Sequence, residues 1–159
     1  GFDLYGEKPI ENEFEHQERW DELSSMSYKE REEKKLDDEY YTLMSKYEDI
    51  NPGAYFRNNV WWWRPLWNYV CLICDDILDE KDHDNGHSNG GHQIDEKKAI
   101  AIAERIDLFI KNGDAADYAL EREHTLKEAE GVDANYSFDL ENLEWFGKFC
   151  EQSGGFEIC

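Results

Sequence analysis

Four tryptophans within residues 61–67, in the segment YFRNNVWWWRPLWNYV over 55–70, constrain this chain more than any other feature. Neighbouring residues point about 100° apart on a helix and to opposite faces on a strand, so Trp61, Trp62 and Trp63 cannot share one face. At least one indole stays near the surface. Three uses are open. The indoles can fill a small helical core, with Arg64 paired to a carboxylate. An exposed indole beside Arg57, Asn58, Asn59 and Arg64 can stack a nucleobase while guanidinium groups hold phosphate, as in nucleotide and single-strand binders. On that reading Trp61, Trp62, Trp63 and Trp67 join those four residues around a small ligand. Trp and Arg are also the common anchors of protein interfaces.

The elements around this block follow from periodicity and punctuation. Phe2 and Leu4 alternate with Asp3 and Tyr5, which predicts a short strand ending at Gly6. A helix over about 12–23 carries Phe14 and Trp20. Ser27 with Glu30 three residues on makes a capping box, and Leu36, Tyr40, Leu43 and Tyr47 follow at helical spacing, which predicts one amphipathic helix over 27–49. Asn51-Pro52-Gly53 closes this hairpin. Tyr55–Val60 reads as extended. Pro65 suits the first turn of a helix, where its missing N–H costs nothing. That helix runs through Leu66, Tyr69, Val70, Ile73 and Ile77 and is apolar nearly all round to Cys74, as a buried helix would be. Residues 79–94 form a loop by composition. Asp95 caps a helix with Ala99, Ile102, Ala103, Ile106, Phe109 and Ile110 on one face, stopped at Asn112-Gly113. An acidic helix spans 114–130. Asp139 opens a last helix with Leu140, Leu143, Phe146, Phe149 and Cys150, and FEIC is a strand able to pair with residues 2–5. The expected fold is mainly α. It is a compact helical domain with a small β element from the N- and C-terminal segments, a single domain over 1–159 in which 8–52 is an inserted acidic helical hairpin.

Charge narrows the function classes. The chain carries 38 acidic and 17 basic residues, a net charge of -21, which repels nucleic acid, anionic lipid and phosphate-rich ligands at long range. Direct nucleic-acid binding is therefore not expected. Residues 8–52 hold 14 acidic and 7 basic side chains. Such a surface suits a basic partner, including a nucleic-acid-handling protein that it blocks by resembling DNA; the alternative is that acidity only confers solubility. Glu30, Glu32, Glu33, Asp37, Asp38 and Glu39 are the candidate partner contacts. No stretch reaches the ~18 apolar residues of a membrane span, and the opening GFDLYGEKP has no basic and apolar blocks of a leader, so a cytoplasmic protein without membrane contact is expected.

Three blocks, GFDLYG, YFRNNVWWWRPLW and FCEQSGGFEIC, together resemble an uncharacterised family of small proteins encoded by tailed bacteriophages and prophages. In relatives the first block often stands almost directly before the second, which marks 8–52 as an insertion. Many relatives also carry a cysteine-rich, zinc-ribbon-like stretch where this chain has EGVDANYS. The resemblance implies a phage accessory protein of the host bacterial cytoplasm, acting in counter-defence or host takeover. Joined to the charge, it leads to a non-enzymatic inhibitor of a host defence protein; the alternative is a protein that sequesters a nucleotide signal with the Trp/Arg block.

Metal and catalytic motifs are thin. Asp82, His83, Asp84, His87 and His92 invite a metal reading, with the three histidines as candidate ligands, but no register satisfies an EF-hand loop. Cys71 and Cys74 could hold zinc only if Cys150 and Cys159 converged on them; buried free thiols are the expected state. There is no G-x-S-x-G, P-loop, G-x-G-x-x-G or H-E-x-x-H. Asp3, Asp75, Asp76 and His124 offer acid–base groups that a chain this acidic contains by chance. Cys150 before Ser153-Gly154-Gly155 sits at a helix C-terminus, which raises a thiol's pKa. Neither a catalytic residue nor a cofactor is expected.

Overall fold

The computed structural model describes residues 1–159, the side chain of Val132 excepted. Two compact units divide the chain: Gly1–Ile10 with Pro52–Cys159, and Glu11–Asn51. In chain order the first elements are β1 (Phe2–Gly6), α1 (Gln17–Ser25), α2 (Tyr28–Glu33), α3 (Asp37–Ile50) and β2 (Tyr55–Asn58). There follow α4 (Val60–Ile73), α5 (Glu80–Gly86), β3 (His92–Ile94), α6 (Glu96–Lys111), α7 (Asp114–Glu128), a 3-10 turn over Gly131–Asn135, α8 (Leu140–Gln152) and β4 (Phe156–Ile158). The mainly α fold with a small sheet built from both ends of the chain is as the sequence leads one to expect.

In the larger unit the sheet order is β2-β1-β4-β3, every neighbouring pair antiparallel. Leu4 stands opposite Phe56 on one side and Ile158 on the other, and Ile94 stands opposite Phe156. Strict alternation then places Phe2, Leu4, Phe56, Ile94, Phe156 and Ile158 in one buried core with Trp63, Trp67, Ile102, Ile106, Phe146 and Phe149. Each fully buried aliphatic or Phe side chain contributes about 1.5–3 kcal/mol of transfer free energy. Asp95 accepts from the Lys98 amide and Asp139 from the Asn142 amide, each at 2.8 Å, so α6 and α8 begin where their caps stand. Gly154 and Gly155, at φ 68° and 96°, make the left-handed turn that ends α8 and aims β4 back into the sheet.

Five local expectations are corrected. Helix α4 starts at Val60, because Asn59 accepts from the amides of Trp61 and Trp62, so Pro65 lies inside the helix rather than in its first turn. The same helix is not buried all round: Arg64, Asn68 and Leu72, four residues apart, form an exposed stripe. The expected loop over 79–94 contains α5 and β3. Asp79 and Asp82 make a reciprocal capping box that starts α5, and β3 exists because β4 pairs with it. The predicted helix over 27–49 is broken between α2 and α3. Lys35 there has φ 57°, the Leu36 amide donates to the Arg31 carbonyl and the Lys35 amide to the Glu32 carbonyl. That pattern is a Schellman stop with lysine in the left-handed position usually held by glycine. The first helix of this unit begins later than expected, at Gln17.

The Glu11–Asn51 unit has its own small core of Phe14, Leu23 and Leu43. Trp20 lies between Tyr40 and Tyr47, ring centres 5.4 and 5.2 Å away and nearly parallel. Buried Arg31 donates to the Met26 carbonyl at 2.7 Å and lies 3.8 Å above the Tyr40 ring centre.

Two measurements check this reading. A methyl group on Gly86 would lie 2.1 Å from the Trp67 indole nitrogen. Gly86→Ala should therefore lower stability by about 1–3 kcal/mol in urea unfolding followed by tryptophan fluorescence, the usual cost of overpacking. Lys35→Gly should do the opposite within the smaller unit. Relief of the left-handed strain, about 1 kcal/mol, should slow amide exchange in α2 and α3 roughly fivefold.

Candidate functional site

The tryptophan block is split by its own helix. Trp63 and Trp67 point inward and are fully buried, their rings stacked at 5.4 Å and 15°. The Trp63 indole N–H donates to the Gly86 carbonyl at 2.8 Å and the Trp67 indole N–H to the His83 carbonyl at 3.2 Å. Both therefore satisfy carbonyls at the end of α5 and are closed to any ligand, which removes them from the expected ligand set. Asn59 is occupied in capping α4. Arg57 reaches toward Asp3, 3.8 Å away, and Asp3 also accepts from the Tyr55 hydroxyl. Asn58 and Asn142 exchange amide hydrogen bonds at 2.8 and 3.0 Å, beside a shallow recess that half-buried Trp62 shares with exposed Trp145.

Trp61 and Arg64 both meet Tyr136, which Pro65 helps to place. Proline has no N–H to give to the carbonyl four residues back. That carbonyl, on Trp61, accepts instead from the Ser137 amide at 3.0 Å, tying residues 136–138 to α4. Tyr136 consequently meets the Trp61 ring edge-on at 4.9 Å. Its hydroxyl accepts from Arg64 Nη1 at 3.3 Å and its carbonyl from Arg122 Nη2 at 2.9 Å. The two arginines and Tyr136 line a cleft of about 580 Å³ between α4 and α7. Arg64 was legible in the sequence. Arg122 and Tyr136 were not, since only the Ser137 amide's bond to the Trp61 carbonyl and the fold bring them there.

The histidines do not converge. His92 Nε2 lies 2.8 Å from buried Asp82, whose other oxygen accepts from Lys98 at 2.6 Å and from the Asp79 amide at 3.0 Å. Burial raises the Asp82 pKa, but Lys98, the Asp79 amide and His92 outweigh it and hold the carboxyl below its ordinary range. His83 faces Asp75 at 3.8 Å, and His87 ends α5 with its pKa lowered by burial and then by the Arg64 charge. Among the described residues no three His, Cys, Asp or Glu side chains come together as a metal-ligating group. The cysteines are free, and burial pushes Cys71 and Cys74 up to about 12 and Cys150 well above its ordinary value, which is the wrong direction for nucleophiles. Asp76 is held by both terminal nitrogens of Arg105 at 2.7 and 2.8 Å.

Of the six candidate partner contacts, three have internal partners. Glu39 binds Arg19 at 2.6 and 2.9 Å, Glu30 binds Lys34 at 3.3 Å and Asp37 binds Arg31 at 3.5 Å. Asp37, Asp38 and Glu39 also fill the first turn of α3, where they complement the helix dipole in place of a side-chain cap. Glu32, Glu33 and Asp38 are exposed and make no ion pair among the described residues.

Comparison with family models, with curated proteins and with solved structures gives no match.

The Asp82 cluster yields a stability test. Asp82→Asn strips Lys98 and His92 of their shared carboxylate and should cost about 3 kcal/mol, the low end for a buried pair because Lys98 keeps some water. Because the folded-state pKa is depressed, the stabilisation is complete above the ordinary value of 3.8 and is lost as pH falls through the lower folded value. The acid limb of the unfolding profile should therefore be shallower in the variant, as urea titrations at a series of pH values below 5 would show.

Proposed function

We propose that this chain is a phage accessory protein that inhibits a host defence factor without catalysis, its Glu11–Asn51 unit presenting carboxylates to a basic, nucleic-acid-handling site. The observation that carries this reading is that this stretch forms a compact unit with its own core while holding 14 acidic against 6 basic residues. A small unit of that charge has no need of so many carboxylates for folding, since its core is apolar, Arg19 is bound by Glu39, and Arg31 is held by the Met26 carbonyl and the Tyr40 ring with Asp37 only at 3.5 Å. Glu32, Glu33 and Asp38 remain available to a partner's cations. Exposed carboxylates steer a basic partner by long-range attraction, and a surface of spaced negative charge can occupy a groove shaped for phosphates. The resemblance of the GFDLYG, YFRNNVWWWRPLW and FCEQSGGFEIC blocks to phage and prophage proteins supports the biological setting.

The test is competitive capture. Immobilised protein is exposed to bacterial lysate and the retained proteins are challenged with duplex DNA. The expected outcome is a retained host protein that DNA releases and that the triple variant Glu32→Gln, Glu33→Gln, Asp38→Asn holds about tenfold more weakly, three partly screened ion pairs' worth of affinity. Retention that ignores both DNA and the triple variant would overturn the reading.

A further inference from the structure

The arginines of this chain divide into two groups. Arg19, Arg31, Arg57 and Arg105 each have a carboxylate within 4.0 Å, at 2.6, 3.5, 3.8 and 2.7 Å. Arg64 and Arg122 make no ion pair among the described residues, although the chain has 38 acidic side chains to offer. These two line the same cleft and hydrogen-bond the two ends of Tyr136. Arg122 Nε is moreover buried with no hydrogen-bond partner, a state shared by Arg31 Nε, which has Asp37 at 3.5 Å where Arg122 has no carboxylate within 4.0 Å among the described residues. Two guanidinium forks turned to one cleft with a donor unspent are what a phosphate group requires, since each can engage two of its oxygens.

The rest of the cleft identifies what the phosphate is attached to. Pro65, Leu126 and Ala129 give it apolar surface, while Glu128 and Asp133 supply carboxylates that do not pair with either arginine. Carboxylates opposite an anion site are repulsive to a bare anion but accept hydrogen bonds from hydroxyl or amino groups. A nucleoside offers both, in its ribose and base. The net charge of -21 repels a ligand more strongly with each added phosphate, which favours one carrying a single phosphate. The volume of about 580 Å³ lies within the usual range for small-molecule sites.

We propose that the Arg64–Arg122–Tyr136 cleft binds a nucleoside monophosphate, linear or cyclic, with the phosphate between the two guanidinium groups and the sugar or base against Glu128 and Asp133. This site is independent of the carboxylate surface of the Glu11–Asn51 unit, and the substitutions that test the two share no residue.

Isothermal titration calorimetry with AMP, GMP, CMP, UMP and 3′,5′-cyclic AMP, with inorganic phosphate as the comparison, decides it. At least one nucleotide should bind more tightly than phosphate. Arg64→Gln and Arg122→Gln should each weaken that binding about tenfold or more, and Arg64→Lys, which keeps the charge but loses the fork, should fall between. Arg57→Gln, on the sheet, should leave it unchanged. Circular dichroism of each variant guards against loss of fold, and Arg64→Lys serves if Arg122→Gln unfolds. Absence of heat from every nucleotide, or binding indifferent to the Arg64 substitutions, would overturn the proposal; phosphate binding as tightly as the nucleotides would overturn its nucleoside part.

Discussion

Helix α5 is seven residues long, too short to persist by itself, and its last turn would leave carbonyls without partners. Two indole N–H groups one helical turn apart on α4 close that gap, Trp63 on Gly86 and Trp67 on His83. The contact is possible only because Gly86 has no side chain where Trp67 lies. Much else follows from it. With Trp63 fixed, Phe2 stacks on it at 5.6 Å and Phe146 meets it edge-on at the same distance, so the sheet and α8 converge on one ring. The far side of α4 is left to carry Arg64 and Asn68. The helix that looks like a binding motif is thus mostly a structural one, with its chemistry confined to the stripe turned away from the core.

The parts of the fold that could be read in advance are those whose signals are local. Asp95 and Asp139 are side-chain caps beside clean apolar periodicity, and α6 and α8 begin as their caps require. The alternation of Phe2, Leu4, Phe156 and Ile158 survives as one buried sheet face. What was illegible depends on distant or unusual partners. Strand β3 is three residues long and is defined by β4, more than sixty positions away. Lys35 takes a conformation that its residue type does not announce, so nothing in the text between Glu33 and Asp37 marks a stop. Pro65 reads as a helix beginning because prolines commonly mark one. Here Asn59 starts the helix earlier, and the proline's missing donor becomes a docking point for the Ser137 amide.

The candidate site shows the same division. Sequence spacing names eight residues around a ligand, and packing takes five of them away: Trp63 and Trp67 to the core, Asn59 to a cap, Asn58 to Asn142 and Arg57 toward Asp3. Arg64 stayed exposed. Its companion Arg122 comes from a helix that reads only as acidic, and Tyr136 from a segment with no motif at all. Unpaired arginines are visible only once every carboxylate has been assigned a place, which is a property of the folded charge distribution and not of any window of sequence.

That charge distribution gives the two proposed interactions opposite responses to salt. Attraction between exposed carboxylates and a basic protein acts over the Debye length, about 8 Å at physiological ionic strength, and weakens as salt is added. A nucleotide approaching the arginine cleft meets the opposite field, repulsion from a chain of net charge -21. Added salt screens that repulsion too, while the short, partly desolvated contacts to Arg64 and Arg122 are screened less. Ionic strength therefore suppresses one association and relieves the barrier to the other. The excess of carboxylates and the unpaired arginines are compatible within one molecule because they act over different distances, the first by its field and the second only on contact.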